Sequence, residues 1–318
     1  MRIVYMGTPD FAVPCLEAIV QAGHQVVGVI TQPDKPKGRG KQVQPTPVKA
    51  AAQRMGLPLW QPPGIKTEDF LQKMQELAPQ CIVVVAYGKI LPPSLLKLPP
   101  LGCINVHASL LPRYRGAAPI HWSVINGEME TGVTTMFMDE GMDTGDMILK
   151  RRVAIGPEDT VGLIHDQLAQ TGAALLVETL EQLERNQAPR VPQDPASATY
   201  APMLHKEHEF IHWNRTAREV HNHVRGMNPW PGAYTTWENR VLKIWRTAVA
   251  EAAGKQESPG TVLASGPEGI LVQTGDGAVW IKELQLQGSK KMEAQAFLRG
   301  KPILPGTVFG SEEGVEGR

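Results

Sequence analysis

The chain has no apolar run long enough to cross a membrane. A spanning helix needs about 20 consecutive apolar residues, and polar residues interrupt each hydrophobic stretch of the 318-residue sequence well before that length. The first residues, MRIVYMGTPDF, enter a predicted strand directly. We therefore expect neither a signal peptide nor a transit segment, and a cytoplasmic protein with no membrane partner.

Cysteine is scarce, and neither sign of charge is in excess. Because the three cysteines lie far apart, we expect buried free thiols in a reducing compartment rather than disulfide bonds: Cys15, Cys81 and Cys103. The 32 basic and 32 acidic residues cancel, so the net charge predicts no nucleic-acid partner. The balance fails locally, because residues 35–66 contain seven basic residues and no acidic one: Lys35, Lys37, Arg39, Lys41, Lys49, Arg54 and Lys66.

Nucleotide and metal signatures are also missing. The first turn, MGTPDFA, has Gly7 but lacks the further glycines of a dinucleotide fingerprint, and the glycines of KPKGRGK are too close together for a phosphate-binding loop. A group of histidines has no cysteine nearby and matches no zinc spacing: His205, His208, His212, His221 and His223. We expect neither a nucleotide cofactor nor a metal site.

The first half of the chain alternates short β-branched strands with helical patterns. This order predicts an α/β fold with a Rossmann-like, doubly wound parallel sheet. An appended hairpin and a long helix should follow it. The predicted strands are Arg2–Met6, Gln25–Thr31, Cys81–Ala86, Cys103–His107, Thr131–Met138 and Asp146–Val153, and the helices are Val13–Ala22, Pro47–Met55, Glu68–Leu77 and Thr160–Arg185.

A change of texture divides the sequence. The stretch Ala188–Pro202 has four prolines and little periodicity, which indicates a linker between domains. Beyond it, a helix near Thr216–Arg225 precedes short strands separated by Gly and Pro, a pattern typical of a small β-barrel. We expect its core to hold Trp213, Trp230 and Trp237. The predicted limits are a first domain at 1–188 interrupted by a basic loop at 34–41, a linker at 189–205 and a second domain at 206–318.

The strand CINVH ends in two polar side chains on one face. Asn105 and His107 are two residues apart, so they project together near the carboxyl end of a parallel strand, where open α/β sheets form their active crevice. A core histidine with satisfied hydrogen bonds is the alternative for His107. The amide beside it favours a site that stabilises negative charge on a carbonyl oxygen.

An acidic partner is available in MDEGMDTGDMI, where glycines allow tight turns. A solvated acidic turn is the alternative. Spacing alone does not choose among four acids: Asp139, Glu140, Asp143 and Asp146.

Several motifs carry a resemblance to a known family. Asn105-x-His107, the SLLP that follows, and Asp143-x-Gly145 resemble the signature of the folate-dependent formyltransferases. The match extends over nearly the whole chain, although Ala108 stands where relatives often have Gly or Pro. GTPDF, RGAAP at Arg115–Pro119, the GRGK loop and NPWP at Asn228–Pro231 resemble the members that act on initiator methionyl-tRNA.

The resemblance implies a formyltransferase fold followed by an OB-like barrel that helps to hold tRNA. It implies 10-formyltetrahydrofolate as the formyl donor, the α-amino group of initiator methionyl-tRNA as the acceptor, and a role in translation initiation in a bacterial cytoplasm. The implied catalytic residues are Asn105, His107 and Asp143. The implied folate-binding residues are Ser109, Leu110, Leu111 and Pro112, with the backbone of Val85–Leu91 walling the pteridine. We expect a monomer.

The residue types suggest how such a transfer proceeds. Asn105 and a protonated His107 would donate hydrogen bonds to the developing oxyanion. Asp143 would favour the charged imidazole and accept a proton from the amine. No Ser or Cys stands where a covalent intermediate would need it, so we expect direct transfer.

The basic loop then gains a hypothesis. We expect it to contact phosphates or bases at the acceptor end of tRNA through Lys35, Lys37, Arg39 and Lys41, the alternative being a solvated flexible loop. Weaker candidates for tRNA contacts follow in the second domain: Arg215, Arg218, Arg225, Lys243, Arg246, Lys290 and Lys291.

Three other functions stay open. The same catalytic domain could formylate another amine, such as a purine ribonucleotide intermediate or a nucleotide sugar. It could instead hydrolyse 10-formyltetrahydrofolate. A non-catalytic RNA-binding protein is the third alternative, although the three residues at 105, 107 and 143 argue against it.

Overall fold

A computed structural model describes residues 1–37, 42–250 and 257–310 of the chain. The chain forms two compact units that are interleaved in sequence. Unit 1 comprises Met1–Pro119, Glu130–Ala154 and His165–Ala201, and unit 2 comprises Ile120–Met129, Ile155–Ile164 and the chain from Pro202 onward. The domain limits expected from the sequence stay a prediction.

The chain up to Ala201 alternates strands and helices. In order, the elements are β1 Arg2–Gly7, α1 Val13–Gln21, β2 Gln25–Ile30, β3 Lys35–Lys37, β4 Gln42–Gln44, α2 Pro47–Arg54, β5 Leu59–Trp60, α3 Glu68–Leu77, β6 Cys81–Val85, α4 Pro93–Leu96, β7 Cys103–His107, β8 Arg115–Gly116, α5 Pro119–Ile125, β9 Glu130–Phe137, β10 Met147–Ala154, α6 Val161–Glu184 and β11 Tyr200–Ala201. Short 3₁₀ turns occupy Asp10–Ala12 and Pro195–Ser197.

Local chemistry explains where these elements begin and end. Helix α2 starts after Thr46, whose hydroxyl accepts from the Lys49 amide, and Thr67 caps α3 in the same way. Strand β6 is buried along its full length, as a central parallel strand requires. It ends at Val85, one residue before the predicted limit, because Ala86 has a left-handed φ of 46°.

The sheet of unit 1 runs in the order β10-β9-β7-β6-β1-β2-β5. The five strands from β7 to β5 are parallel, whereas β9 is antiparallel to both β7 and β10. The predicted Rossmann-like sheet with an appended hairpin is therefore confirmed. Its arrangement brings the carboxyl end of β7 next to β9, with His107 opposite Thr134.

Unit 2 contains an antiparallel β domain. Its elements beyond Pro202 are a 3₁₀ turn at Lys206–Glu209, α7 Ala217–Gly226, β12 Tyr234–Trp237, β13 Arg240–Val249, β14 Val262–Gly266, β15 Gly269–Gln273, β16 Ala278–Leu286, β17 Met292–Glu293 and α8 Ala294–Gly300. The strand order is β12-β13-β16-β15-β14, with β17 paired to β16. A second, smaller β domain is therefore confirmed.

The core of unit 2 corrects one sequence expectation. Trp213 and Trp237 are buried in its apolar cluster, as predicted. Trp230 is 40% exposed, so its predicted core position is wrong. Helix α7 begins with a reciprocal cap between Thr216 and Glu219, which fixes the start of the amphipathic helix.

Two further observations concern the whole of the described chain. Cys15, Cys81 and Cys103 are free and buried. Across residues 1–37, 42–250 and 257–310, no helix combines the length and the apolarity of a membrane span.

Candidate active site

Strand β7 delivers two functional side chains to the carboxyl edge of the sheet. Because strand side chains alternate, Asn105 and His107 share a face while Val106 points to the other side. His107 is only 6% exposed, whereas Asn105 is partly exposed. The end of the strand therefore combines an accessible amide with an enclosed imidazole.

Asp143, in the loop between β9 and β10, meets both of these side chains. The Asn105 Nδ2 atom lies 3.5 Å from Asp143 Oδ1, and His107 Nδ1 lies 3.7 Å from Oδ2. The Gly116 amide donates to Oδ2 at 2.8 Å. The structure thus brings together the three side chains that the sequence singled out.

The structure also distinguishes among the four acidic residues of the loop. Asp139 accepts hydrogen bonds from the Gly141 amide and the Thr144 hydroxyl, and these bonds stabilise the turn. Asp146 lies 3.7 Å from an Arg190 guanidinium nitrogen. Asp143 is the acid that reaches Asn105 and His107.

The orientation of His107 follows from one backbone contact. Its Nε2 lies 3.0 Å from the carbonyl oxygen of Tyr114. A carbonyl carries no proton, so Nε2–H is the donor in this pair. The imidazole therefore turns Nδ1 toward Asp143 and the site. Sequence reasoning missed Tyr114, because it acts through a backbone atom and no side-chain pattern signals it.

The loop that carries Asp143 depends on its neighbouring glycine. A Cβ on Gly145 would lie 1.8 Å from the Phe137 carbonyl oxygen, so no larger residue fits without moving the backbone. Asp143 itself has a left-handed φ of 55°, which is costly for a residue with a side chain. The Asp-x-Gly motif therefore has a steric basis as well as a chemical one.

A cleft of about 170 Å³ opens beside Asp143. Its walls come from Lys89–Leu91 and from the end of β9 with the following loop: Met136, Met138, Asp139, Glu140, Gly141, Met142 and Asp143. Ile90 and Met142 are exposed at 74% and 60%, which is unusual for side chains of this size. The apolar walls next to an acid suit a planar molecule with a polar edge.

The segment Ser109–Pro112 lies beside the cleft rather than in its walls. Thr134 Oγ1 donates to the Ser109 carbonyl at 2.7 Å and accepts from the Leu111 amide at 3.1 Å. Leu111 forms a small apolar cluster with Met136 and Met147. Leu111 therefore supports a wall of the cleft through Met136, and the predicted ligand contacts of Ser109–Pro112 stay a prediction.

The basic loop begins as a short hairpin. Lys35 is exposed in β3, which pairs antiparallel with β4. Lys37 closes that strand. Arg39 and Lys41 lie outside the described residues.

A polar clamp that sequence reasoning missed lies at the base of this hairpin. Asp34 forms an ion pair with Lys49 and accepts from Gln61 Nε2 at 2.6 Å. Gln61 also donates to the Gln32 carbonyl at 2.9 Å. The Lys49 and Gln61 hydrogen bonds lower the pKa of Asp34. Lys49 therefore does not add free positive charge to the basic run.

Several second-domain candidates for tRNA contacts are occupied by other partners. Arg225 is 6% exposed and donates to Asn222 Oδ1 and to two backbone carbonyls. A buried guanidinium held in this way cannot reach a phosphate, so the Arg225 prediction is wrong. Ion pairs with carboxylates also engage Arg215, Arg246 and Lys291, and Lys243 donates to the Pro231 carbonyl.

The histidines whose spacing matched no zinc site form ordinary hydrogen bonds. His223 Nε2 lies 2.7 Å from the His208 carbonyl oxygen, and His221 contacts Thr247 and the Pro157 carbonyl. Within the part of the chain that the structure describes, no group of three or more potential ligands has the arrangement of a metal site.

The chain matches known proteins over nearly its whole length. Residues 1–180 match the formyl transferase family, and residues 203–302 match the formyl transferase C-terminal domain. The methionyl-tRNA formyltransferase of Desulforamulus reducens is 65% identical over 99% of both chains. That of Pelotomaculum thermopropionicum is 58% identical over 98% of this chain and 99% of its own.

A solved structure shares the fold at lower identity. HypX from Aquifex aeolicus, in complex with tetrahydrofolic acid, superposes with a TM-score of 0.63 at 21% identity. The alignment covers 94% of this chain and 47% of HypX, so the chain spans about half the length of that protein. The chain belongs to the formyl transferase family, and its full-length relatives there are methionyl-tRNA formyltransferases.

Proposed function

We propose that the chain transfers the formyl group of 10-formyltetrahydrofolate to the α-amino group of methionyl-initiator tRNA, for translation initiation. One observation carries the proposal: Asn105, His107 and Asp143 converge at one sheet edge, in a chain whose full-length relatives carry this activity in their names.

Two of the three side chains share one task, and Asp143 has another. Asn105 Nδ2 and a protonated His107 Nδ1 donate to the formyl oxygen as negative charge develops on it, and one such donor is worth about 10²–10³ in rate. The Tyr114 carbonyl occupies Nε2, so Nδ1 is the nitrogen left for the reaction.

Asp143 faces His107 and also acts on the attacking amine. Its carboxylate lies 3.7 Å from Nδ1 of His107, where its negative charge faces the imidazole. It also accepts the proton that the attacking amine must lose, directly or through one water. The Gly116 amide fixes one carboxylate oxygen at 2.8 Å, which keeps the acid aimed at the site.

The donor supplies the formyl group, and the cleft beside Asp143 suits the flat ring system of a folate. The apolar residues Ile90, Leu91 and Met138 line it together with Lys89. Flat rings bind well between apolar walls with a few polar groups at the edge. The segment Ser109–Pro112 serves the folate as well, by direct contact or through Met136.

The basic hairpin is the tRNA contact in this proposal, through Lys35, Lys37, Arg39 and Lys41. The exposure of Lys35 supports this role, because phosphate contacts need accessible cations. The Asp34–Lys49 pair at the base of the hairpin holds its two ends in place.

Two further parts of the proposal concern the state of the protein. We place it in the bacterial cytoplasm, where initiator tRNA is charged and used. We also propose that it works as a monomer, with the whole site formed by one chain.

A single assay tests the function against its rivals. The donor carries a labelled formyl carbon and is incubated with charged initiator tRNA, with uncharged initiator tRNA, or with water alone. We expect label on the charged tRNA and none on the uncharged control, which lacks the amine. Release of labelled formate at the same rate in all three reactions would indicate a hydrolase.

The other amine acceptors are tested in parallel. A nucleotide-linked amino sugar and a ribonucleotide amine replace the tRNA at equal concentration. A higher kcat/KM with either compound than with methionyl-tRNA would assign the chain to a different branch of the family. Absence of transfer to every acceptor and to water would refute the enzymatic proposal.

A further inference from the structure

The segment Val191–Ala201 lies within the predicted linker, and its backbone is hydrogen-bonded to the start of β10 and to β8. Met147 and Val191 exchange two backbone hydrogen bonds at 2.9 and 3.0 Å. Further along the segment, β11 pairs in parallel with β8. We call residues 191–201 the strap.

Gln193, in the strap, is in contact with the Asp143 loop. Its Nε2 donates to the carbonyl oxygens of Asp143 and Gly145, both at 2.8 Å. Its Oε1 accepts from Nε and Nη2 of Arg115, at 3.0 and 2.7 Å. Gln193 is 9% exposed and Arg115 4% exposed. A buried amide whose hydrogen bonds are all made is rigid, and removing those bonds is costly.

Thr199, near the other end of the strap, holds the loop that orients His107. Its hydroxyl accepts from the Tyr114 amide at 2.8 Å, and its carbonyl accepts from the Arg115 amide at 2.8 Å. Tyr114 is the residue whose carbonyl receives the His107 Nε2 proton. His107 and Asp143 are therefore both positioned by residues that the strap holds.

We propose that the strap is the positioning element of the catalytic pair, with Gln193 as its principal positioning residue. Gln193 links the Asp143 loop to Arg115 and hence to Gly116, whose amide holds the carboxylate of Asp143. Asp143 has a left-handed backbone conformation, which is strained. Strained residues persist only when their surroundings hold them, so the hydrogen bonds from Gln193 stabilise this conformation. This inference rests on the proposed function, since it names a residue that supports the same reaction.

The test compares two buried glutamines of the same type. Gln193→Met removes the donor and the acceptor with little change in volume. The control is Gln273→Met: Gln273 is 3% exposed, and its Nε2 donates to the carbonyls of Thr274 and Gly277 in unit 2. Gln193→Met removes four side-chain hydrogen bonds and Gln273→Met removes three, but only Gln193 touches the loop of Asp143.

The kinetic result separates positioning from stability. Misplacing a catalytic group by about 1 Å costs up to 10²-fold, so we expect the single-turnover transfer rate of Gln193→Met to fall about 10- to 100-fold. The KM for folate and for tRNA should stay within threefold of wild type. Gln273→Met should keep the wild-type rate within threefold. Equal rates in the two variants would overturn the role of Gln193.

A second readout needs no substrate. The Gly116 amide is protected by Asp143 Oδ2, so hydrogen exchange in a peptide covering residues 112–118 should quicken at least tenfold in Gln193→Met and stay unchanged in Gln273→Met. Unchanged exchange in both would contradict the strap even if wild-type protein formylates nothing. If the wild type is inactive but exchange still quickens in Gln193→Met and not in Gln273→Met, the result counts against the proposed function and leaves the strap in place.

A further variant covers the case in which Gln193→Met does not fold. Gln193→Glu keeps an acceptor for Arg115, but it replaces the N–H donors to the Asp143 loop with a negatively charged carboxylate oxygen that repels the Asp143 and Gly145 carbonyls. We expect the same drop in rate and the same faster exchange. A folded Gln193→Glu protein with wild-type rate and wild-type exchange would refute the inference.

Discussion

Asp143 receives its contacts from separate parts of unit 1. Asn105 comes from β7, Gly116 from the short strand β8, and Gln193 from the strap. Each contact alone is weak in water, but together they fix a carboxylate that is only 16% exposed. Preorganisation of this kind is what an electrostatically stabilised transfer requires.

Replacement of Asp143 tests its role at the level of one atom. Asp143→Asn keeps the size of the side chain and removes the charge and the base. We expect the single-turnover rate of formyl transfer to fall by about 10³, because the variant has neither a proton acceptor nor a charged partner for His107. The matched control is Asp146→Asn in the same loop, which should keep the rate within threefold. A rate for Asp143→Asn within tenfold of wild type would refute the assignment.

The residues of the site differ in how far the sequence could predict them. Strand alternation predicted that Asn105 and His107 share one face at the carboxyl end of β7. Asp143 was not, because four acids share its loop and only the family resemblance selected it. Tyr114 acts through a carbonyl, and Gln193 sits in a proline-rich stretch without periodicity. Neither leaves a local signal, since the partners of each become neighbours only in the folded chain.

At the scale of elements, the long strands and helices were predictable and the shortest were not. Helix α3 and strand β7 match their predicted limits. The two-residue strands β8 and β11 are too short to show an alternating pattern. They exist because the strap packs against the catalytic loop, so the pairing is a tertiary effect that a linker-like composition hides.

The proposed role of the β3–β4 hairpin can be tested by removing one of its positive charges. Lys35→Ala should raise the KM for initiator tRNA several-fold and leave the KM for the folate unchanged. Removing one cation that binds a phosphate should flatten the dependence of log KM on log salt by about 0.7–0.9. The matched control is Lys66→Ala, an exposed lysine in the same basic run, and its salt slope should equal that of wild type. An unchanged slope for Lys35→Ala would make the hairpin lysine a spectator.

At the scale of the molecule, the net charge and the division into two units differ in how far the sequence predicts them. The 32 basic and 32 acidic residues cancel, so recognition of tRNA has to come from local clusters such as the hairpin rather than from the overall field. The two β-containing parts were predictable from texture. The interleaving of units 1 and 2 was not, because contacts between distant segments leave no periodic signal in sequence.

Acid stability of the molecule should depend on one histidine of unit 2. Burial lowers the pKa of His223 to about 4, with a further contribution from the nearby Arg215 and histidines. In the unfolded chain the pKa of a histidine is ~6.5. Between pH ~6.5 and the folded-state pKa of about 4, the unfolded state binds more protons than the folded state. The free energy of unfolding therefore falls as the pH falls. The contribution of His223 to stability is therefore fully present above pH ~6.5, and about 3 kcal/mol of it is removed once the pH reaches the folded-state pKa.

The variant His223→Gln isolates this contribution. A glutamine can still donate to the His208 carbonyl that His223 Nε2 contacts, but it does not titrate. Between pH ~7 and pH ~4, the free energy of unfolding should fall by about 3 kcal/mol more in wild type than in the variant. Chemical unfolding followed by tryptophan fluorescence measures the difference, with Trp213 and Trp237 buried in the same unit. Parallel pH curves would mean that His223 is protonated without cost in the folded protein, and would contradict its neutral state there.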